Sequence, residues 1–239
     1  MNKYSLSIVR LFCLALLASL CFFSLSACSD NEPEERAAFT AFLNDKVLSR
    51  KGVSLPELSR TEKKSIGRYT EHYDLLVKFQ KKLAEDAGKN ARELLALTDV
   101  GDLAALAKAE KSLKKAAGEA EKLQKLVISL REKADKAKEK LSMPDDLGPV
   151  YAPVYAKVVS LPAAASAETF QAVHAVFTAI LDLLDFIDSN SRDMEIDGKN
   201  INLKNIGLKD RLDAKMAAVR EKAQDLRKAY TEMMKTMLQ

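Results

Sequence analysis

Three cysteines, two histidines and two short acidic clusters are the residues of this chain with chemistry to offer beyond folding. Cys13, Cys21 and Cys28 could pair, hold a metal as thiolates or attack an electrophile. His72 and His174 each stand alone on a helical stretch, with no second His or Cys at ligand spacing and no HExxH. Exposed or helix-surface imidazoles are expected, and no metal ligands. Asp182, Asp185 and Asp188 step along one helix at i, i+3, i+6. Paired carboxylates can do acid–base work, but this spacing is also that of an ordinary solvated face. Asp193, Glu195, Asp197 and Gly198 begin like a calcium loop, yet the twelfth position, which needs a bidentate Glu, is Lys204. A hairpin turn is the favoured reading there. Nucleophile-elbow, Walker A and dinucleotide glycine motifs are absent. No catalytic residue, no cofactor and no enzymatic activity are expected.

The chemistry with the clearest sequence context belongs to Cys28. It closes Leu25-Ser26-Ala27-Cys28 at the end of the apolar run Leu11–Ala27, which follows Lys3 and Arg10. A charged start and an apolar middle are the layout of a signal peptide, and the last four residues resemble the lipobox of bacterial lipoproteins. The resemblance implies cleavage before Cys28 and a diacylglyceryl thioether on its sulfur. The alternatives are an ordinary cleaved signal or an uncleaved anchor. The run is 17 residues, the lower limit for spanning, and acidic residues rather than a Lys/Arg cluster follow it. All three cysteines lie at or before the cut, so the mature chain keeps only Cys28, already alkylated. Disulfides, thiolate metal sites and cysteine nucleophiles are thereby excluded. Several acyl chains make the membrane attachment effectively permanent. In enterobacterial lipoproteins an Asp after the lipidated Cys favours the inner membrane. Ser29 in that place points to the outer membrane, facing the periplasm, with the periplasmic side of the inner membrane as the alternative.

Loss of residues 1–27 removes Lys3 and Arg10 and leaves a net charge of about +2. The charges are interleaved, without a basic stripe carrying aromatics, so no nucleic-acid partner is expected. Trp is absent, aromatics are 6%, and Ala, Leu, Lys and Glu dominate, a helix-forming composition.

Apolar spacing defines the elements that carry these residues. A first helix is predicted over about 33–48 (Phe39, Phe42, Leu43, Val47), and a second from an N-cap at Thr61 to about 98. A third over about 102–141 carries Leu106, Leu113, Ala120, Val127, Ala134 and Leu141 seven apart. Ala109, Ala116, Leu123, Leu130 and Ala137 follow the same period, offset by three. Pro144, Pro149, Pro153 and Pro162 predict an extended or kinked crossover over 142–165, in which Tyr151 and Tyr155 are either a partner contact or a seal on the bundle end. A fourth helix starts at Ser166. Asp197-Gly198 between Met194/Ile196 and Ile201/Leu203 signals a small β-hairpin within the polar loop 189–205, and a last helix runs over about 207–237. The expected organisation is a cleaved signal peptide (1–27), a lipidated tether (28–33) and one helical-bundle domain (34–239). The fold class is all-α, an elongated antiparallel bundle. An intermolecular coiled coil through the third and last helices is the less favoured alternative.

The stretch Cys28-Ser-Asp-Asn-Glu-Pro-Glu-Glu-Arg36 with Phe39 and Phe42-Leu43 resembles the YiaF-like family of Gram-negative lipoproteins of unknown function. So do Lys64, Gly67 and Tyr69, Tyr155-Ala-Lys-Val-Val159 with Pro162, and Ile196-Asp-Gly198 before Ile201. The resemblance implies a helical envelope lipoprotein and supplies no catalytic residues. The expected role is a non-enzymatic structural or interaction module, held to the membrane through acyl chains on Cys28 and contacting another envelope component. The alternative is a carrier or chaperone-like binder of a lipid or peptide in a groove between helices, with Met216, Met233 and Met237 as adaptable lining.

Overall fold

The computed structural model describes residues 31–88, 94, 103–198 and 200–238. Leu25, Ser26, Ala27, Cys28 and Ser29 lie outside them. Pro33 in the first turn, among Glu32, Glu34 and Glu35, starts α1 (Glu32–Leu43), the arrangement a helix N-terminus favours. The helix runs on through a π-helical turn, Asn44–Leu48, and buries Phe39, Phe42, Leu43 and Val47. After a loop, α2 (Arg60–Ile66) begins with a capping box between Ser59 and Glu62 rather than at the expected Thr61. A 3₁₀ turn at Gly67–Tyr69 leads into α3 (Thr70–Asp86). The expected extension of this helix through 89–93 and 95–98 lies outside the described residues. Next come α4 (Leu103–Lys108) and α5 (Glu110–Lys138).

The proline-rich segment corrects the sequence reading. Gly148–Tyr155 is a helix, α6, which passes through a second π turn, Ala156–Ser160, into α7 (Leu161–Ser189) without a break. Pro149 lies in the first turn, where its missing N–H has no helical partner to lose. Pro153 lies one turn on, and both prolines point to solvent while Tyr151, Val154 and Tyr155 point inward. At the third proline, the Leu161 N–H bonds the Ala156 carbonyl five residues back, so the widened turn accommodates the ring of Pro162. The strands β1 (Met194–Asp197) and β2 (Asn200–Leu203) pair antiparallel with Ile196 opposite Ile201, as the Asp197-Gly198 signal predicts. A 3₁₀ turn at Ile206–Leu208 then leads into α8 (Lys209–Leu238).

The fold is an all-α antiparallel bundle with one small hairpin. The joined α6–α7 helix has the length and apolarity of a membrane span, but α5 packs along one side of it and α8 along another. Both seams are pinned at mid-length. His174 Nδ1 donates to the Ala117 carbonyl at 3.0 Å, and Thr169 Oγ1 to the Ala229 carbonyl at 3.3 Å. The seven-residue stripe of α5 is spent inside the molecule: Leu113, Ala116, Ala120, Leu123, Val127, Leu130 and Ala134 are all buried. Leu183, Phe186, Ile187, Met194 and Leu212 form a second cluster beneath the hairpin. Met216 joins that cluster at its edge.

α1 lies against α6 and the 3₁₀ turn, held by polar clamps at both ends. Glu35 accepts from the Arg68 backbone N–H at 3.1 Å and from Arg68 Nε at 3.0 Å, and Arg36 pairs with Asp146 at 3.0 Å. At the far end the Lys157 ammonium, on the second π turn, donates to the carbonyls of Val47 (3.2 Å) and Arg50, at and just beyond the end of the first. A cation there also satisfies the negative end of the helix.

Gly67 has φ +47°, and a Cβ there would run into the Glu35 carboxylate. Gly67→Ala is expected to cost about 1–3 kcal/mol. Lys157→Met is expected to cost about 1.5–3 kcal/mol, because it strips a charged donor from two carbonyls. Urea midpoints measure both, and an unshifted midpoint removes that contact from the account of stability.

Candidate functional site

The bundle end where α1, α3 and α6 meet gathers aromatic rings around one histidine. Phe39 stacks on Tyr69 with centroids 5.5 Å apart, and His72 lies 5.1 Å from Tyr69 and 5.7 Å from Tyr151, edge-on to the latter. His72 is 5% exposed, which corrects the surface position expected of it. Tyr69, His72 and Leu76 are spaced i, i+3, i+7, so the imidazole falls on the inner face of its helix. Its Nε2–H donates to the Ser142 carbonyl at 2.9 Å. That tautomer leaves Nδ1 as an acceptor, buried and without a hydrogen-bond partner among the described residues. Burial lowers the imidazole pKa below its ordinary 6.5, outweighing the Ser142 carbonyl and the exposed Glu71 carboxylate, which favour the charged form.

Tyr151 and Tyr155 are 1% and 3% exposed, so they are core residues and not a partner contact. The Tyr151 hydroxyl donates to the His72 carbonyl and that of Tyr155 to Asp135, each at 2.8 Å. Burial raises both phenol pKa values. Tyr69 donates to Glu32, and burial first, then that carboxylate, pushes its pKa up to about 12. These phenols are locked as donors.

Two concavities meet beside this cluster. A pocket of about 470 Å³ at the bundle end is bordered by Arg36, Arg68, Tyr69, His72 and Lys140. A groove of about 560 Å³ runs from it between α3 and α5, and Glu71 and Leu141 line both. The groove floor is apolar, made by Leu75 and Phe79 of α3 with Leu126, Leu130 and Ala134 of α5. Lys78, Lys82 and Lys133 stand along its rim, with Glu71 and Asp74 toward one end and Asp86 toward the other. Leu130 and Ala134 of the α5 stripe thus form part of the groove floor. The methionines do not: Met216, Met233 and Met237 lie on α8, away from it.

The acids weighed from sequence are surface groups. Asp182, Asp185 and Asp188 are exposed, Asp182 pairing with Lys215 at 3.5 Å, and Glu195 and Asp197 are exposed on the hairpin. No cluster of three or more metal-ligating side chains occurs among the described residues.

Residues 14–234 match the profile of a family described as protein of unknown function, DUF3053. The chain is 27% identical to the uncharacterized protein YiaF of Escherichia coli strain K12 over 173 residues, 72% of this chain and 73% of that protein. The uncharacterized YiaF of Shigella flexneri matches to the same extent. No solved structure matches.

Because the folded-state pKa of His72 lies below its unfolded value, its neutral burial supports the fold fully above about pH 6.5. That support is lost as pH falls from 6.5 toward the depressed folded value. Thermal melts at pH 7.5 and pH 5 should show a larger drop for the natural chain than for His72→Phe. Equal drops would mean that His72 does not set the acid sensitivity.

Proposed function

The chain belongs to DUF3053, a family of proteins of unknown function, and from that premise we propose that it works as a lipid-anchored envelope protein without enzymatic activity. In this reading it faces the periplasm from the outer membrane and contacts another envelope component. The observation that carries the proposal is the short distance between the lipobox-like Cys28 and the first helix, which begins at Glu32. Four residues reach at most about 14 Å. The end of the bundle with α1, His72 and the polar pocket therefore sits against the membrane surface. Burial of His72 and the tyrosines supports a non-enzymatic role, because their polar atoms are walled off or already committed. Ser29 supports the outer membrane as the destination.

The α3–α5 groove favours a second reading, a carrier or chaperone-like binder of a lipid or peptide. It is compatible with the first, since a groove held at a membrane surface lies beside a supply of apolar ligands.

Cys28→Ser is expected to abolish incorporation of a clickable palmitate analogue and to release the protein into the soluble periplasmic fraction. Ser29→Asp is expected to shift it to the inner-membrane band of a sucrose gradient. Crosslinking in intact cells should capture one dominant envelope component. Recovery of the monomer alone at every crosslinker length would count decisively against an adaptor role.

A further inference from the structure

We infer that the α3–α5 groove takes a single-chain lipid with an anionic headgroup. Its acyl chain lies on the apolar floor, and its carboxylate or phosphate meets Lys78, Lys82 and Lys133. The inference rests on the carrier reading above and adds the chemical class of the ligand. Length argues for an acyl chain. From Lys82, where the headgroup is held, to Glu71 the groove follows α3 for about 16.5 Å at 1.5 Å per residue. One leaflet of a bilayer core is about 15 Å deep, so a chain that fills a leaflet fits lengthwise. Volume argues for one chain: about 560 Å³ is the space of one small ligand, and α3 and α5 wall the groove on both sides.

The lining separates a lipid from a peptide. A bound peptide brings backbone N–H and C=O groups that need partners when desolvated. The groove is lined by Leu, Phe and Ala with charged residues at its edges, and among the described residues no Ser, Thr, Asn, Gln or Tyr lines it. An acyl chain asks for no such partners.

Charge selects the headgroup. Glu71 and Leu141 meet at one end of the groove and the two helices run antiparallel, so positions 78–82 of α3 face the stretch of α5 around 130–134. Lys78 and Lys82 are one turn apart on one wall, and Lys133 stands on the other at the same level. None of the three makes an ion pair among the described residues, whereas neighbouring Lys81 pairs with Glu85. The carboxylates of the rim lie toward its ends, Glu71 and Asp74 on one side of the lysines and Asp86 on the other. Asp74 and Asp86 stand one turn beyond Lys78 and Lys82, so the cationic stretch is about one turn of α3 with Lys133 across from it, and lysine stems can lie along the apolar floor while their ammonium groups meet an anion.

The test uses the full chain carrying Cys28→Ser and a fluorescent long-chain carboxylate, cis-parinarate. Saturable binding is expected, with palmitate displacing the probe about tenfold better than hexadecyltrimethylammonium of the same chain length. The triple variant K78Q/K82Q/K133Q should bind the probe about tenfold more weakly, as loss of three exposed charge contacts implies. Its melting temperature should be unchanged. Ala137→Phe, at an exposed position on the groove wall, should block binding with the lysines intact. If anionic and cationic chains compete equally, or the triple variant binds as tightly as its parent, headgroup selection is overturned while the carrier reading stands. If Ala137→Phe leaves binding intact, the chain binds elsewhere and the assignment to this groove is overturned. If neither parinarate nor hexadecanol binds, both fall. A peptide released from the purified chain in native mass spectrometry would replace the lipid by a peptide.

Discussion

The structure depends on one helix that cannot be left in water. From Gly148 to Ser189 the joined α6–α7 helix is apolar over most of its circumference, and its buried side chains include Tyr151, Val158, Phe170, Val173, Phe177 and Leu184. A helix with so wide an apolar surface has to be enclosed. Each large side chain enclosed contributes about 1.5–3 kcal/mol. α5 encloses one side with its alanine-rich stripe, which lets the two helices approach closely. α8 covers another side, and α1 covers the beginning of the helix. The helices farther out are placed by this requirement: α3 packs on α5, and the hairpin closes the distal end.

Much of this arrangement can be read locally. The stripe of α5 repeats every seven residues, and the residues it names from Leu106 to Ala134 are buried, Ala109 apart, which is half-buried. The hairpin register follows from Asp197-Gly198. Proline, by contrast, misleads when read as a residue type without its phase. Pro149 and Pro153 are four apart, which places both on the solvent side of a helix, and the π turn before Pro162 absorbs what that ring would disrupt. Periodicity offers no warning of a π turn, because the turn is a response to packing on both sides. His72 was legible in principle from its phase with Tyr69 and Leu76. A lone polar residue between aromatics gives no sign of which face its side chain takes until Phe39 and Tyr151, 33 and 79 residues away in sequence, are brought against it.

The groove belongs to a third category. Its floor and its lysines come from two helices, α3 and α5, that are far apart in sequence. Nothing in either helix alone distinguishes Lys78, Lys82 and Lys133 from the many other lysines of a solvated surface. What sets them apart is that they border one apolar groove from both of its walls, a property of the pairing of the helices. Family membership does not supply it either, because the family carries no assigned activity. The residues through which the chain resembles its family, such as Glu35, Gly67, Tyr69 and Lys157, instead meet at the clamps on α1.

Those clamps have a mechanical meaning. Glu32 and Glu35 are gripped at the start of α1 by Tyr69 and Arg68, Arg36 by Asp146, and the carbonyls at its far end by Lys157. Tension entering at residue 31 along the axis of α1 is shared among these bonds in shear. The contacts at the two ends of the helix both have to yield before α1 leaves the bundle. Under the proposed lipid anchor at Cys28, a pull from the membrane would reach the bundle first through these clamps.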